Sequence, residues 1–196
     1  MTVGLFGGTF DPPHIGHVAL ARTARSELNL DRLVVLVVGA PPHKAVETDA
    51  ETRFRLAQAA FADLPGVEIS RHELDRPGPS YTVETARWAS AEFGDPVFIV
   101  GADEFADFLG WHEPNEILER VRLAVATRSG YDRARLEQVR SRLARPDRVA
   151  YFEFDPMDVA SREIRARAAN RESIEGLVPP AVAQLIDELT LYRRAA

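Results

Sequence analysis

Val3-Gly4-Leu5-Phe6-Gly7-Gly8-Thr9-Phe10-Asp11-Pro12-Pro13-His14-Ile15-Gly16-His17 joins an apolar strand, a pair of glycines and two histidines spaced i, i+3 at the start of a helix. A strand that ends in consecutive glycines lets backbone N–H groups approach a bulky anion, because no Cβ stands in the way. The helix predicted just beyond offers unpaired N–H donors and the positive end of its dipole. Two imidazoles at that spot can donate to phosphate oxygens. These residues point to phosphate chemistry on a nucleotide, against the plainer reading of a strand-to-helix turn with surface histidines.

Outward from this segment, strand and helix signals alternate. Strands are predicted at Thr2–Phe6, Leu33–Val38, Val67–Ser70, Val97–Val100, Arg122–Thr127 and Arg148–Phe152. Several are unbroken Val/Leu/Ile runs, the pattern of a parallel sheet covered on both faces. Helices are predicted at Gly16–Leu28, Glu51–Ala62, Tyr81–Phe93, Asn115–Val121, Arg133–Leu143, Arg162–Ala169 and Ala181–Arg193. Thr48 and Asp49 signal the start of the second helix and Ser80 that of the third. Pro179 and Pro180 open the last, whose Val182, Leu185, Ile186 and Leu189 share a face. The alternation predicts a doubly wound, Rossmann-like parallel sheet flanked by helices, with a small helical C-terminal part and ligands at the carboxyl ends of the strands. No linker divides the chain, so residues 1–196 read as one domain.

Composition narrows the function classes. A net charge of −6 argues against a partner that demands a basic face, so no nucleic acid is expected. The absence of cysteine removes disulfides and thiolate metal sites. The longest apolar run, Leu33 to Val38, is too short for a bilayer, and no signal-peptide layout precedes the first strand. The expectation is a cytoplasmic protein without a membrane partner, with self-association into a homo-oligomer left open.

His14-Ile15-Gly16-His17 resembles the signature of the His-x-Gly-His nucleotidyltransferases. Four later segments, in the same order as in the bacterial nicotinate-mononucleotide adenylyltransferases, narrow the resemblance to that branch. They are Pro41-Pro42-His43-Lys44, Pro79-Ser80-Tyr81-Thr82-Val83-Glu84-Thr85, Gly101-Ala102-Asp103 with Trp111 following, and Ser161-Arg162-Glu163-Ile164-Arg165. The resemblance implies adenylyl transfer from ATP to nicotinate mononucleotide, giving nicotinate adenine dinucleotide and pyrophosphate. It implies backbone donors at Gly7, Gly8, Thr9 and Phe10, and phosphate contacts from His14, His17, Lys44 and Arg165. It sets Gly101 and Asp103 near the ATP sugar, where Asp103 also reads as a helix N-cap. Thr82 falls near the nicotinate carboxylate, with backbone donors around Trp111 and His112. Trp111 can stack a cationic pyridinium ring on its electron-rich face, whereas packing suffices for Trp88.

The last motif departs from the family's Ile-Ser-Ser-Thr-x-Ile-Arg. Ser161, Ile164 and Arg165 match, but Ala160 and Arg162 stand where hydroxyls are usual. Arg162 either supplies a forked cation in their place or faces solvent. The five histidines lie in or beside the motifs without metal-ligand spacing, so no protein-ligated metal is expected. Mg2+ arrives with the ATP phosphates. The rival readings are an adenylyltransferase acting on phosphopantetheine or a sugar or alcohol phosphate, and a non-catalytic nucleotide sensor. A nicotinamide-dependent oxidoreductase lacks its spaced Gly-x-Gly-x-x-Gly here.

Overall fold

A computed structural model describes residues 1–41, 46–128 and 133–193. Its strands β1 (Val3–Gly8), β2 (Arg32–Val37), β3 (Val67–Ser70), β4 (Val97–Gly101), β5 (Arg122–Thr127) and β6 (Val149–Glu153) form one sheet. The order is β3-β2-β1-β4-β5-β6, with every pair parallel. Around it run α1 (Ile15–Glu27), α2 (Ala50–Phe61), α3 (Thr82–Phe93), α4 (Ala102–Ala106), α5 (Pro114–Arg120), α6 (Ala134–Ser141), α7 (Ser161–Ala169) and α8 (Pro180–Glu188). This is the doubly wound α/β fold expected from the alternation.

β2 shows how an unbroken apolar run serves two cores. Leu33, Val35 and Val37 pack on one face with residues of α1, α2, α7 and α8. Val34 and Leu36 pack on the other with α3, α4, α5 and α6. Successive strand residues point to opposite faces, so burial on both sides requires an apolar residue at every position. Strand order reverses between β1 and β4, which opens a crevice at their carboxyl ends. Gly7 and Gly8 are the last β1 residues, in register with Leu36 and Val37, and Gly101 ends β4.

Several boundaries differ from the sequence reading, each for a local reason. α1 begins at Ile15, leaving His14 as its N-cap. Ser80 does not cap α3; Tyr81 occupies that position, while Ser80 Oγ accepts the N–H groups of Gly39 and Ala40, each at 3.2 Å. Asp103 lies within the first turn of α4, whose N-cap is Gly101. α8 stops at Glu188 instead of Arg193, because Thr190 and Tyr192 adopt φ of 50° and 63° and turn the chain back. Asp49 caps α2 as expected, its Oδ1 accepting Thr52 N–H at 2.9 Å.

One buried cation secures the carboxyl ends. Arg53 of α2 is 1% exposed and occupies the same helix face as Leu56, Ala57 and Ala60. Its Nε donates to the Thr48 carbonyl (3.1 Å), Nη1 to Thr9 (3.0 Å) and Val38 (2.6 Å), and Nη2 to Gly39 (2.9 Å). Burial lowers its pKa, while the carboxylates of Asp11 and Asp49 support the charge. The guanidinium therefore fastens the exits of β1 and β2 to the entry of α2. Replacing it would leave buried carbonyls unpaired. Arg53→Met is expected to cost about 3–5 kcal/mol, seen as a lower urea midpoint with unchanged slope; a loss below about 1 kcal/mol would show that the clamp is dispensable.

Candidate functional site

The glycine-histidine corner is built from β1 outward. Phe10 takes a left-handed φ of 50° and sends its ring back into the core, 1% exposed. A Cβ on Gly8 would lie 2.7 Å from Phe10 Cζ, so glycine is needed there for the ring as well as for any ligand. The Phe10 ring meets His17 edge-on at 5.1 Å. His14 and His17 lie ring against ring, 3.7 Å apart and 32° from parallel. A Cβ on Gly16 would lie 3.1 Å from His14 Nδ1 and 3.2 Å from Val159 Cγ1, so a side chain between the histidines would crowd both.

The imidazoles are differentiated by their bonds. His14 N–H donates to His17 Nδ1 at 3.1 Å, which puts the proton of neutral His17 on Nε2. Burial lowers the His14 pKa to about 4, so it stands as a neutral imidazole at pH 7. Its Nδ1 is buried without a hydrogen-bond partner. Two of the first-turn N–H groups expected for an anion are engaged, Ile15 N to Leu177 O (3.1 Å) and His17 N to His14 O (3.0 Å).

α7 crosses to this corner from the far end of the chain. Ser161 Oγ donates to the Pro12 carbonyl at 2.9 Å. One turn on, Arg165 donates from Nη1 to the Asp11 carbonyl and from Nε to Glu47 Oε1, both at 2.7 Å. Asp11 is itself buried, and its Oδ2 accepts Glu47 N–H at 2.8 Å. Arg162 is exposed, and its side chain makes no hydrogen bond or ion pair with the described residues.

Two cavities are bordered by the other predicted residues. One of about 290 Å³ is bordered by Gly101, Asp103, Leu20, Arg128 and Phe154. The other, about 420 Å³, is bordered by Ser80, Tyr81, Thr82, Asp107, Trp111 and His112. The Tyr81 and His112 rings meet at 4.6 Å in its wall, tilted by 38°, and Trp111 meets Phe108 at 5.2 Å. A cavity of about 670 Å³ between α7 and α8 touches none of the sequence-predicted site residues.

The predicted residues thus gather in three places. Gly7, Gly8, Thr9, Phe10, His14, His17, Ser161 and Arg165 meet around the β1–α1 loop. Gly101 and Asp103 border one cavity, while Thr82, Trp111 and His112 border the other. Lys44 and its neighbour His43 lie outside the described residues. Sequence reasoning missed Asp11, Glu47, Arg53 and Arg128. It also missed Glu73, a buried carboxyl whose pKa burial raises, which accepts the Thr85 hydroxyl at 2.7 Å beside Ser80. Among the described residues no three His, Asp or Glu side chains are grouped as a metal site.

Residues 5–167 match the cytidylyltransferase-like family model. A nicotinate-nucleotide adenylyltransferase of Rubrobacter xylanophilus is 40% identical over 100% of this chain and 94% of its own length. One from Thermus thermophilus is 40% identical over 98% of this chain and 100% of its own. The fold is shared with the Plasmodium falciparum nicotinic acid mononucleotide adenylyltransferase complexed with NaAD, at TM-score 0.77 and 14% identity over 97% of each chain. No helix among the described residues is long and apolar enough to cross a membrane. With a family model spanning most of its length and relatives this similar end to end, the chain belongs to the nicotinate-nucleotide adenylyltransferases of the cytidylyltransferase-like family.

Proposed function

We propose that the protein joins ATP and nicotinate mononucleotide to give nicotinate adenine dinucleotide and pyrophosphate, with the β1–α1 corner as the phosphate site. The observation that supports the site assignment is that Ser161 and Arg165 of α7 are bonded to the loop that carries His14 and His17 from the end of β1 at the switch-point crevice. The 5′-phosphate oxygen of the mononucleotide attacks the α-phosphorus of ATP in line, and pyrophosphate leaves. The nucleophile is already ionised at neutral pH, so no general base and no covalent enzyme intermediate are needed. Catalysis reduces to positioning and charge stabilisation.

In this reading His17 donates from Nε2 to the α-phosphate, and neutral His14 serves as a dipolar donor beside it. Arg165, with Lys44, supplies positive charge. The cavity bordered by Gly101 and Asp103 takes the adenosine, and the Thr82–Trp111–His112 cavity takes the nicotinate ring. Gly7, Gly8, Thr9 and Phe10 line the approach with backbone groups, while Ser161 and Arg162 sit where α7 meets the triphosphate. ATP is used as its magnesium complex, in which the phosphates and water hold most of the ion's coordination.

The overall assignment is tested by mixing protein, ATP and magnesium with a panel of acceptor phosphates and following pyrophosphate release. Within it, His17→Ala removes a transition-state donor and is expected to lower turnover about a hundredfold or more, with circular dichroism unchanged. Near-normal turnover in a folded variant would remove His17 from the mechanism. Arg162→Ala is expected to raise the KM for ATP several-fold more than that for the mononucleotide; if neither constant moves, the exposed guanidinium has no part in binding.

The acceptor pocket gives a further expectation. A carboxylate is acceptor-only and suits the Thr82 hydroxyl and backbone N–H donors, whereas an amide presents an NH₂ of its own. Charge-assisted bonds are also about twice as strong as neutral ones. The acid is therefore expected to be preferred over nicotinamide mononucleotide by about tenfold or more in kcat/KM. Thr82→Val should narrow that gap, while Trp111→Ala weakens both acceptors alike. Competition between the two mononucleotides in one reaction decides the point, and equal use would refute this account of the pocket.

A further inference from the structure

Beyond α8 the chain returns to the site. Leu191 N–H donates to the Ile186 carbonyl at 2.9 Å, and the left-handed Thr190 and Tyr192 carry the chain away from the helix axis. L side chains seldom adopt such φ values, and two so close together persist only where surrounding contacts impose them. Their effect is to bring the Tyr192 phenol, 181 residues along the chain, to the loop after β1. There its hydroxyl donates to Asp11 Oδ1 at 2.8 Å.

The bonds continue from Asp11 without a gap. Asp11 Oδ2 accepts the Glu47 backbone N–H, and Glu47 Oε1 accepts Arg165 Nε. The Asp11 carbonyl accepts Arg165 Nη1 directly. Tyr192 thus fixes one carboxylate oxygen, the other oxygen fixes the backbone of Glu47, and the two acidic residues together set the plane of the guanidinium. The surroundings are Thr48, Arg53 and Arg165, the polar and charged groups facing the phenol along with Asp11. Burial raises the Tyr192 pKa far above its ordinary value, so the hydroxyl remains a donor throughout the working pH range. An apolar contact alone would need only the ring, since Tyr192 packs against the same core cluster as Leu191.

We propose that Tyr192 is a positioning residue for adenylyl transfer, aiming the Arg165 guanidinium at the phosphates of ATP through Asp11 and Glu47. This rests on the reading of Arg165 as a phosphate-binding group. The test compares wild type, Tyr192→Phe, Arg165→Ala and the double variant, with KM measured separately for magnesium ATP and for nicotinate mononucleotide. Tyr192→Phe is expected to raise the KM for ATP about fivefold while the acceptor KM moves less than about twofold. In the Arg165→Ala background it should add nothing, because the group it orients is gone. A merely structural role would move both constants together, and would act equally in both backgrounds; either result overturns the proposal. If Arg165→Ala raises the ATP KM and Tyr192→Phe does not, the positioning role fails while the reading of Arg165 stands. If Arg165→Ala leaves the ATP KM unchanged, the reading of Arg165 fails and takes the proposal with it. Should Tyr192→Phe prove too unstable to assay, Asp11→Asn keeps the shape and one oxygen acceptor, and must give the same ATP-selective rise; a flat response there overturns the proposal equally.

Discussion

The crevice exists in its present form because one guanidinium satisfies four carbonyls from three segments. Arg53 receives Thr9 beyond β1, Val38 and Gly39 beyond β2, and Thr48 ahead of α2. At the carboxyl end of a parallel sheet the backbone carbonyls point out together, and each one buried there needs a donor. Helix α1 begins several residues after β1, and α2 more than ten residues after β2, so neither strand exit passes directly into a helix that would use these groups. A planar fork with five N–H donors meets that need from a single side chain. The same arginine therefore decides where the loop after β1 leaves the sheet, and with it where His14 and His17 stand.

A second arginine repeats the device at the site itself. Arg165 bonds the Asp11 carbonyl and the Glu47 carboxylate, so a cation is held ready on an otherwise acidic chain. An exposed ion pair of this kind stabilises the fold little, yet it fixes the orientation of a planar group before any ligand arrives. That is the form of preorganisation that phosphoryl transfer rewards, since the protein contributes geometry and charge and forms no covalent bond. Burial keeps His14 neutral at pH 7, so this imidazole brings no charge of its own and acts as a dipole.

What the sequence made legible was local. The β2 run from Leu33 to Val37 and the Gly7-Gly8 pair with its two histidines each carry their meaning within a few residues. What stayed hidden depends on distance or on a charged residue in an apolar place. Arg53 reads as surface until its shared face with Leu56, Ala57 and Ala60 is noticed, and that spacing was the available signal. Ser80 looks like a helix cap from its neighbours but bonds to Gly39 and Ala40 across the sheet edge. The apolar period of α8 extends to Leu189 and gives no hint that Tyr192 turns back toward Asp11. Propensity measures the helix and is silent about the side chain that ends it.

The altered α7 motif makes physical sense on this framework. Ser161 and Arg165 are four residues apart and share a helix face, and both bond to the loop after β1. Ser161 ties the first turn to the Pro12 carbonyl, and that tie sets the approach of the whole helix. The position before it, Ala160, is the N-cap and makes no side-chain bond there. Residue 162 lies about 100° around the helix from Ser161, away from the shared face, and is exposed. A short hydroxyl at that position has little reach, whereas an arginine spans several ångströms further. Of the three hydroxyl positions in the pattern this motif resembles, Ser161 orients the helix, Ala160 offers no side-chain donor and Arg162 offers a long one.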